Sequence, residues 1–434
     1  MKKVFFSSLL FVYICLGASA QSGTNSPYSQ YGLGVLSDQS QGFNRGMSGL
    51  GYGLRTSNQV NVMNPASYSS IDSLTMIFDM GLSLQLTHFE ENGIKKNARN
   101  ANFEYAVATF RVFPKVGLSV GILPFTNIGY NYSTTETLPS SSTTVTQNSE
   151  GSGGLHQAYA GIGWNMFAGL SLGANFSYLW GDYDKSVTVS SNDSYVNTLG
   201  RRYKASISSY KIDLGMQWEQ KIGRRDALVL GATVGLGHKL GADPSISISN
   251  TNPQTSVMQV KTDSVSDGLE IPLTIGGGLS YKHGTKWLLG VDYSLQKWGE
   301  LSYPEVDDAT QKYQLKKGLL KDRHKLTFGG QYVPRAYDTR HFLNRVHYRF
   351  GASYATPYYY IGNVQGPKEL TVSAGFGIPI FNDWTSHSMA NVTFLNISGQ
   401  WVHTSAKDLI TENTFRINVG ITFNEQWFKK WKVK

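Results

Sequence analysis

The chain has 434 residues, with 46 glycines, one cysteine and a formal net charge of +9 at pH 7. Its lysines and arginines are spread along the chain without a recognisable nucleic-acid-binding module, so the charge does not indicate a nucleic-acid partner. No segment beyond the N-terminus approaches the roughly 18 apolar residues that a transmembrane helix needs. The sequence therefore predicts neither a nucleic-acid-binding protein nor a helical membrane protein.

Residues 1–20 predict a secretory signal peptide. Two lysines precede the apolar run Val4–Leu16, and Ala18-Ser19-Ala20 has the small-residue pattern of a cleavage site, which makes Gln21 the expected first mature residue. The single cysteine, Cys15, lies inside this signal and lacks the small residues that precede a lipoprotein cysteine. The mature protein is therefore expected to contain no thiol and no disulfide.

Residues 21–72 show no regular period, although the chain is regular from residue 74 onward. They contain the glycine-rich run RGMSGLGYG, which begins at Arg45, and the run NVMNPAS, which begins at Asn61. The segment is too long to be a mere tail. The regular part of the chain is interpreted below as a wide barrel. Because such a barrel leaks unless its lumen is filled, we interpret residues 21–72 as its plug, or hatch.

From residue 74 the chain is a series of segments in which apolar and polar residues alternate. In LTMIFDMGLSLQL, which begins at Leu74, one face is apolar and the other carries polar residues such as Asp79 and Ser83. About fourteen such segments begin near residues 74, 102, 116, 155, 169, 204, 227, 269, 287, 324, 346, 369, 390 and 413. Each is long enough for a tilted strand to cross a bilayer, and bacterial outer-membrane barrels have an even number of strands. Residues 73–424 are therefore predicted to form an all-β fold, a transmembrane antiparallel β-barrel of about 14 strands.

The connections between these segments alternate in length, as they do in outer-membrane barrels with short periplasmic turns. The long ones are polar and comprise residues 133–153, 182–203, 241–268 and 300–322. Residues 335–345 break the alternation, because they are long although their position in the series predicts the periplasmic side. Residues 425–434 are predicted to be a basic, aromatic periplasmic tail that suits the phospholipid headgroups or a protein partner.

The third segment contains Pro124 in its middle. Proline cannot donate a hydrogen bond to the strand ladder, so a bulge is expected from Pro124 to Asn127. Such a bulge could open the wall or only shape it. Pro272 and Pro379 also lie within strand segments, so proline alone does not single out an opening.

The run FNRGMSG, which begins at Phe43, followed by NVMNPAS resembles the N-terminal hatch of the FadL family of outer-membrane transporters. The resemblance covers the hatch motif locally and the whole chain in architecture. It implies passive uptake of hydrophobic compounds such as fatty acids, with sideways exit through a kinked third strand beside the hatch. The hatch or gating residues that it implies are Arg45, Ser48, Gly49, Asn64, Pro65 and Ala66. The implied lateral opening lies at Pro124, Phe125 and Asn127.

Other chemistry is weakly indicated. Ser152 and His156 lie close in sequence, but neither a nucleophile elbow nor an acid partner accompanies them, so we expect no enzyme. The nine histidines show no metal-ligand spacing, and neither a metal nor another cofactor is expected. The inward-facing charges are expected to pair with one another or with the hatch.

Two main functional hypotheses follow for this predicted outer-membrane protein of a Gram-negative bacterium. The first is a FadL-like transporter of hydrophobic small molecules, in contact with the lipid bilayer and lipopolysaccharide. The second is a non-transporting barrel that acts as a subunit or carrier in an outer-membrane secretion or assembly complex, with a periplasmic or outer-membrane protein partner. An apolar cavity that leads to a gap at Pro124 would favour the transporter. A sealed wall with apolar patches on loops or turns would favour the subunit.

Overall fold

The computed structural model describes residues 23–73, 75–139, 142–307, 310, 312–338, 340–381 and 392–426. The predicted signal peptide and residues 427–434 of the predicted tail lie outside these ranges. The described residues form a closed antiparallel barrel together with an N-terminal segment, residues 23–73, that contacts its inner surface. No helix among them is long and apolar enough to cross a membrane.

Fourteen strands form the barrel, which confirms the predicted fold. They are β1 Thr75–Glu91, β2 Ile94–Phe113, β3 Val116–Thr137, β4 Thr144–Asn165, β5 Leu170–Ser191, β6 Thr198–Lys221, β7 Asp226–Gly235, β8 Thr274–His283, β9 Trp287–Gln296, β10 Arg323–Tyr332, β11 His347–Ala355, β12 Lys368–Phe381, β13 Val392–Ser405 and β14 Thr411–Gln426. Each strand pairs with its neighbour in sequence, and β14 pairs with β1. Closure satisfies the backbone hydrogen bonds that lipid cannot satisfy.

Side-chain alternation decides which face of each strand meets lipid. In β1, Leu82 and Leu84 are 52% and 60% exposed, whereas Ser83 between them is 1% exposed. Successive side chains of a strand point to opposite faces, so the apolar set faces outward and the polar set faces the lumen. The inward-facing Asp79 and Asp292 are accordingly buried.

Four strands extend far beyond the length that crossing a bilayer requires. β3 to β6 each have 22 to 24 residues, against about 10 for a membrane crossing. Much of 133–153 and 182–203, which the sequence suggested as polar loops, is therefore strand, because these serine- and threonine-rich stretches continue the ladder of their neighbours. Two further strands, Ser245–Thr251 and Met258–Ser264, add to the edge of β6. We call this extension, at the end of the barrel with the long connections, the outer sheet.

The opposite end of the barrel carries the short turns, which are residues 114–115, 166–169, 222–225 and 284–286. One connection at this end, residues 333–346, is much longer and contains the 3-10 helix Phe342–Arg345. It includes the segment that broke the predicted alternation. Since short turns face the periplasm in outer-membrane barrels, this end is taken as the periplasmic end.

The N-terminal segment has little regular structure. It contains the 3-10 helix Pro27–Gln30, the short strand Val35–Leu36, the α-helix Gly42–Arg45 and the 3-10 helix Pro65–Ser70. The side chains of Ser26 and Asn64 cap the two 3-10 helices by accepting hydrogen bonds from backbone amides. The many polar contacts of this segment with the strands replace the ladder that it lacks.

Candidate functional site

Arg45 joins the N-terminal segment to the barrel wall through a buried ion pair. Its Nη2 lies 2.9 Å from Oε2 of Glu104 in β2, and both side chains are buried. Its Nη1 donates to Oδ1 of Asn418 in β14 at 3.1 Å. Burial opposes the charge on nearby Asp38, but the cations of Arg45 and Lys325 outweigh it and hold the pKa of Asp38 below its usual range. The predicted hatch arginine is thus the centre of a charged cluster inside the barrel.

Ser48 and Gly49, which follow Arg45 in the predicted motif, adopt left-handed backbone conformations with φ of 54° and 82°. This turn allows the amide of Gly49 to donate to the carbonyl of Asn44 at 2.9 Å, as at the end of a helix. The hydroxyl of Ser48 lies 2.8 Å from that of Ser373 in β12. The motif therefore ends the short helix and contacts the wall.

The Asn64-Pro65-Ala66 element lies against different strands. Oδ1 of Asn64 accepts from the amide of Ala66 at 3.1 Å, and its Nδ2 donates to the carbonyl of Met216 in β6 at 3.1 Å. Pro65 takes the first position of the 3-10 helix, where the absent amide proton costs nothing. The two halves of the predicted hatch motif thus contact separate parts of the wall.

Glycines of the barrel make room for this helix. A Cβ atom at any of these positions would meet backbone or side-chain atoms of residues 64–69; the positions are Gly117, Gly161, Gly163, Gly173 and Gly215. The wall is therefore shaped by missing side chains where the 3-10 helix packs. The helix contacts β3 near Gly117, at a distance along the strand from Pro124.

Asp292 of β9 is a contact that the predicted site residues did not include. Its Oδ2 accepts from the amides of Gly51 at 2.6 Å and Tyr52 at 2.8 Å, within the glycine-rich run. A carboxylate that accepts two amide hydrogen bonds fixes the loop in place. The alternation of its segment places Asp292 on the polar, inward-facing side, but its partner could not be identified from the sequence, because the loop that binds it has no periodic pattern.

The wall is incompletely paired between β2 and β3. Their ladder begins at Phe113↔Val116 and stops at Ala106↔Ile122, although β2 extends to Ile94 and β3 to Thr137. The register of β3 against β4 shifts between Pro124 and Thr126, where the sequence predicted a bulge. Beyond this point the edge of β3 that faces β2 has no strand of the barrel beside it. We call this gap the split.

The N-terminal segment itself occupies the split. Val35 pairs with Asn127 and Leu36 with Thr126, so the short strand extends the free edge of β3. The amide of Ser37 donates to the carbonyl of Phe125 at 3.0 Å.

Further hydrogen bonds hold the same region on both sides of the split. Nε2 of Gln39 donates to the carbonyl of Pro124 at 2.9 Å. On the β2 side, Nδ2 of Asn102 donates to the carbonyl of Gly23 at 2.8 Å. Residues 35–39, rather than the Asn64-Pro65-Ala66 element, contact the predicted opening. The helix cannot do so because the glycines that receive it lie nearer the periplasmic end.

The cavities between segment and wall are small, and their linings differ in polarity. Three of them have volumes of about 120, 140 and 200 Å³, below the range of about 300–1,000 Å³ that is usual for ligand pockets. The largest of the three is lined by charged side chains, among which are Asp38, Glu104, Arg323, Lys325, Glu369 and Arg416. Such linings favour water and ions over an apolar compound.

An aromatic cluster lies above these cavities, towards the outer sheet. Its buried members include Leu33, Tyr130, Tyr183, Trp298, Tyr358 and Tyr359. The hydroxyl of Tyr359 donates to the carbonyl of Tyr28 at 3.2 Å, and that of Tyr303 donates to the carbonyl of Gly32 at 2.8 Å. The extracellular connections and the first residues of the N-terminal segment therefore share one packed core.

Exposed apolar side chains lie beyond the bilayer at the tips of the outer sheet. Tyr195 and Val196 belong to the β5–β6 connection, and Val257 and Met258 to the neighbouring hairpin; Tyr195 is 83% exposed and Met258 58%. Strand register places the two tips side by side, because Thr198 pairs with Thr251 and Thr251 with Met258. Adjacent exposed apolar residues outside lipid indicate an interaction surface.

The residues considered for catalysis do not form a site. Ser152 and His156 lie on the same strand, β4, four residues and therefore roughly 13 Å apart along it. Among the described residues, no group of three or more His, Cys, Asp or Glu side chains could hold a metal ion.

Several solved structures share this fold. A FadL homologue of Pseudomonas aeruginosa aligns with a TM-score of 0.62 at 12% identity, over 90% of this chain and 99% of that one. The toluene transporter TodX of P. putida aligns with a TM-score of 0.59 at 13% identity, over 93% and 100%. The monoaromatic hydrocarbon channel CymD aligns with a TM-score of 0.58 at 13% identity, over 90% of this chain and 98% of that one. The chain thus has the FadL fold.

No curated protein matches the sequence. The family model described as BamG matches residues 1–434. The chain therefore belongs to the BamG family.

Proposed function

From membership of the BamG family and the FadL fold, we propose that this barrel is a protein-binding subunit of an outer-membrane assembly complex. The observation that carries the proposal is the pair of apolar tips on the outer sheet, where Tyr195, Val196, Val257 and Met258 are exposed to water. An apolar surface outside the bilayer is stabilised when a partner covers it. The family name is consistent with such a role.

The cavities and the occupied split inside the barrel also support a protein-binding role. An apolar compound would have to cross cavities lined by charged groups and leave through a split that residues 35–39 occupy. Desolvating those charged groups opposes the passage of an apolar compound. A protein-binding subunit needs no such path, and its fixed interior instead stabilises the barrel.

The test is mass spectrometry of what co-purifies with the native protein in mild detergent, covering both proteins and small molecules. We expect a stoichiometric protein partner that is lost when Tyr195 and Met258 are both replaced by serine. Val364→Ser is the matched control, because Val364 is a single exposed apolar residue, 37% exposed, on another extracellular connection. Purification of the barrel without a protein partner, under conditions that retain bound lipid, would contradict the proposal.

Uptake of hydrophobic small molecules by passive diffusion through a lateral opening is the second candidate. It is supported by the register shift at Pro124 and by the titles of the structural neighbours, which name a toluene transporter and a hydrocarbon channel. In this reading Arg45, Ser48, Gly49, Asn64, Pro65 and Ala66 hold a hatch. Pro124, Phe125 and Asn127 then border the opening, and residues 35–39 must leave the split to open it.

A disulfide across the split tests this second candidate. Leu36 and Thr126 are paired neighbours, so cysteines at both positions should crosslink the segment to β3. Transport predicts that the oxidised double variant loses uptake of a radiolabelled long-chain fatty acid or of toluene, and that reduction restores it. Equal uptake in the oxidised and reduced states would exclude a route through the split.

A further inference from the structure

The connection 333–346 is unusually long among the described connections at the periplasmic end. The other short-turn connections given above contain two to four residues, whereas this one contains a 3-10 helix. It is ordered by Asp338, which accepts hydrogen bonds from the amides of Arg340 at 2.8 Å and His341 at 3.0 Å. The amide of Arg335 also donates to the carbonyl of Asn344 at 2.8 Å. A long turn held in one conformation differs from a simple link between two strands.

This turn presents apolar side chains to water at the periplasmic end. Tyr337 and Leu343 are each 67% exposed, and Phe342 is 47% exposed. The guanidinium of Arg345 lies over the ring of Phe342, 5.6 Å from its centroid. Aromatic and basic side chains thus share one surface.

A cleft of about 800 Å³ opens beside the turn, between the N-terminal segment and the wall. Its lining includes Ser57 and Asp72 of the segment, Trp287 of β9, Tyr337 of the turn and His347 of β11. This volume falls within the range of about 300–1,000 Å³ that binding sites occupy. The cleft is therefore large enough for side chains of a bound polypeptide.

A buried histidine in the cleft wall has unused hydrogen-bonding capacity. His347 is 8% exposed, and neither of its ring nitrogens has a partner among the described residues. Buried polar side chains are normally satisfied, so a partnerless imidazole in a cleft wall points to a bound group.

The rim of the barrel is strongly basic at the end that carries the cleft. The exposed cations of the short-turn connections are Lys115, Arg224, Arg225, Lys286, Arg335 and Arg340. No salt bridge joins any of them to an acid among the residues that the structure describes. The acid of the long turn, Asp338, is already engaged by backbone amides. Positive potential at this end therefore attracts an anionic partner.

We propose that the cleft and the 333–346 turn bind an acidic, extended segment of a periplasmic partner protein. Arg335 and Arg340 attract its carboxylates, and Tyr337 covers its apolar parts. Phospholipid headgroups are the other anions at this level, but the cleft is bounded by residues of the N-terminal segment inside the barrel mouth, where the bilayer does not reach. This inference rests on the proposed function, since it names the side on which an assembly partner docks.

The test uses the full chain in nanodiscs of zwitterionic phosphatidylcholine. The probe is a fluorescein-labelled decapeptide of alternating glutamate and serine, and binding is measured by fluorescence anisotropy at low salt. We expect the Arg335→Glu/Arg340→Glu variant to bind the probe at least about tenfold more weakly, because like charges now face each other. A glutamine–serine decapeptide should not bind.

Charge reversal at another turn of the same end is the matched control. Lys115→Glu, compared with the single variant Arg340→Glu, changes the net charge equally and lies on the β2–β3 turn, which contributes no lining residue to the cleft, so it should retain wild-type affinity within about twofold. Equal weakening in both variants would overturn the proposal and assign the binding to the rim as a whole. No binding of the acidic probe to the wild type would also overturn it, and would leave the basic rim to phospholipid headgroups.

Failure of this inference is distinguishable from failure of the proposed function. If the Arg335→Glu/Arg340→Glu variant still co-purifies with the native partner and the probe does not bind, the cleft proposal falls and the assembly role remains. If the probe binds the cleft but the wild type has no native partner, the assembly role falls instead.

Discussion

Two seams of the barrel wall are joined in different ways. Where the chain closes on itself, β14 pairs with β1 continuously from Thr75↔Gln426 to Glu90↔Thr411. Between β2 and β3 the ladder stops at Ala106↔Ile122, and the N-terminal segment replaces it. A membrane requires both seams to satisfy their backbone groups. The first does so by regular pairing, and the second by side chains and a two-residue strand, so the second depends on particular residues.

Among the contacts that join the N-terminal segment to the wall, removal of Arg45 should have the largest effect on the free energy of unfolding. Arg45→Ala leaves Glu104 buried without its ion-pair partner and removes one of the two cations near Asp38, and breaking a buried ion pair costs about 3–5 kcal/mol. We expect a loss of that order in the free energy of unfolding, measured by urea titration of the folded barrel in detergent. Lys95→Ala is the control, because its ion pair with Glu90 is exposed and should contribute less than about 1 kcal/mol. Equal stabilities of the two variants would show that the charged cluster does not hold the segment.

Replacement of Asp292 should have the second largest effect on stability. Asp292→Ala removes the acceptor for the amides of Gly51 and Tyr52, and hydrogen bonds to a charged group contribute about 1.5–3 kcal/mol. The loss should be local, so trypsin should cleave at Arg55 faster in the variant than in the wild type. Asp193→Ala, on an exposed connection, is the control. Unchanged cleavage at Arg55 would mean that the glycine-rich run is held by other contacts.

Gly173 tests whether the wall is shaped for the Pro65–Ser70 helix. A Cβ atom at Gly173 would meet backbone atoms of Pro65 and Ala66, which cannot move aside easily. Overpacking of this kind costs about 1–3 kcal/mol. Gly277→Ala is the matched control, since its Cβ would meet nothing within 4 Å. We expect Gly173→Ala to lower the urea midpoint and Gly277→Ala to leave it unchanged or raise it.

The strands of the barrel wall could be predicted from the sequence, because the alternation of apolar and polar residues follows directly from burial on one side of a sheet. All fourteen strands were predicted, since the alternation of apolar and polar residues, as in Leu82, Ser83 and Leu84, indicates which side chains face lipid and which face the lumen. The N-terminal segment was interpreted as a plug from its irregularity and its resemblance to the FadL hatch, but its contacts with the wall were not predictable. Asp292 and Gly51 are 241 residues apart, and neither carries a local pattern that names the other. The outer sheet was missed because serine and threonine suit loops and exposed strands equally well.

Replacing Pro124 should have the smallest effect on the free energy of unfolding, because of its position at the split. In a fully paired strand, replacing proline by alanine restores a donor to the ladder and stabilises it. At the split, the edge of β3 that faces β2 has no barrel strand beside it at Pro124, and the carbonyl of this residue already accepts from Gln39. The restored amide should therefore gain little, and Pro124→Ala should change the free energy of unfolding by less than about 0.5 kcal/mol. A clear stabilisation would mean that β2 and β3 pair across the split once proline is removed. The gap would then be a consequence of Pro124 rather than of the segment that fills it.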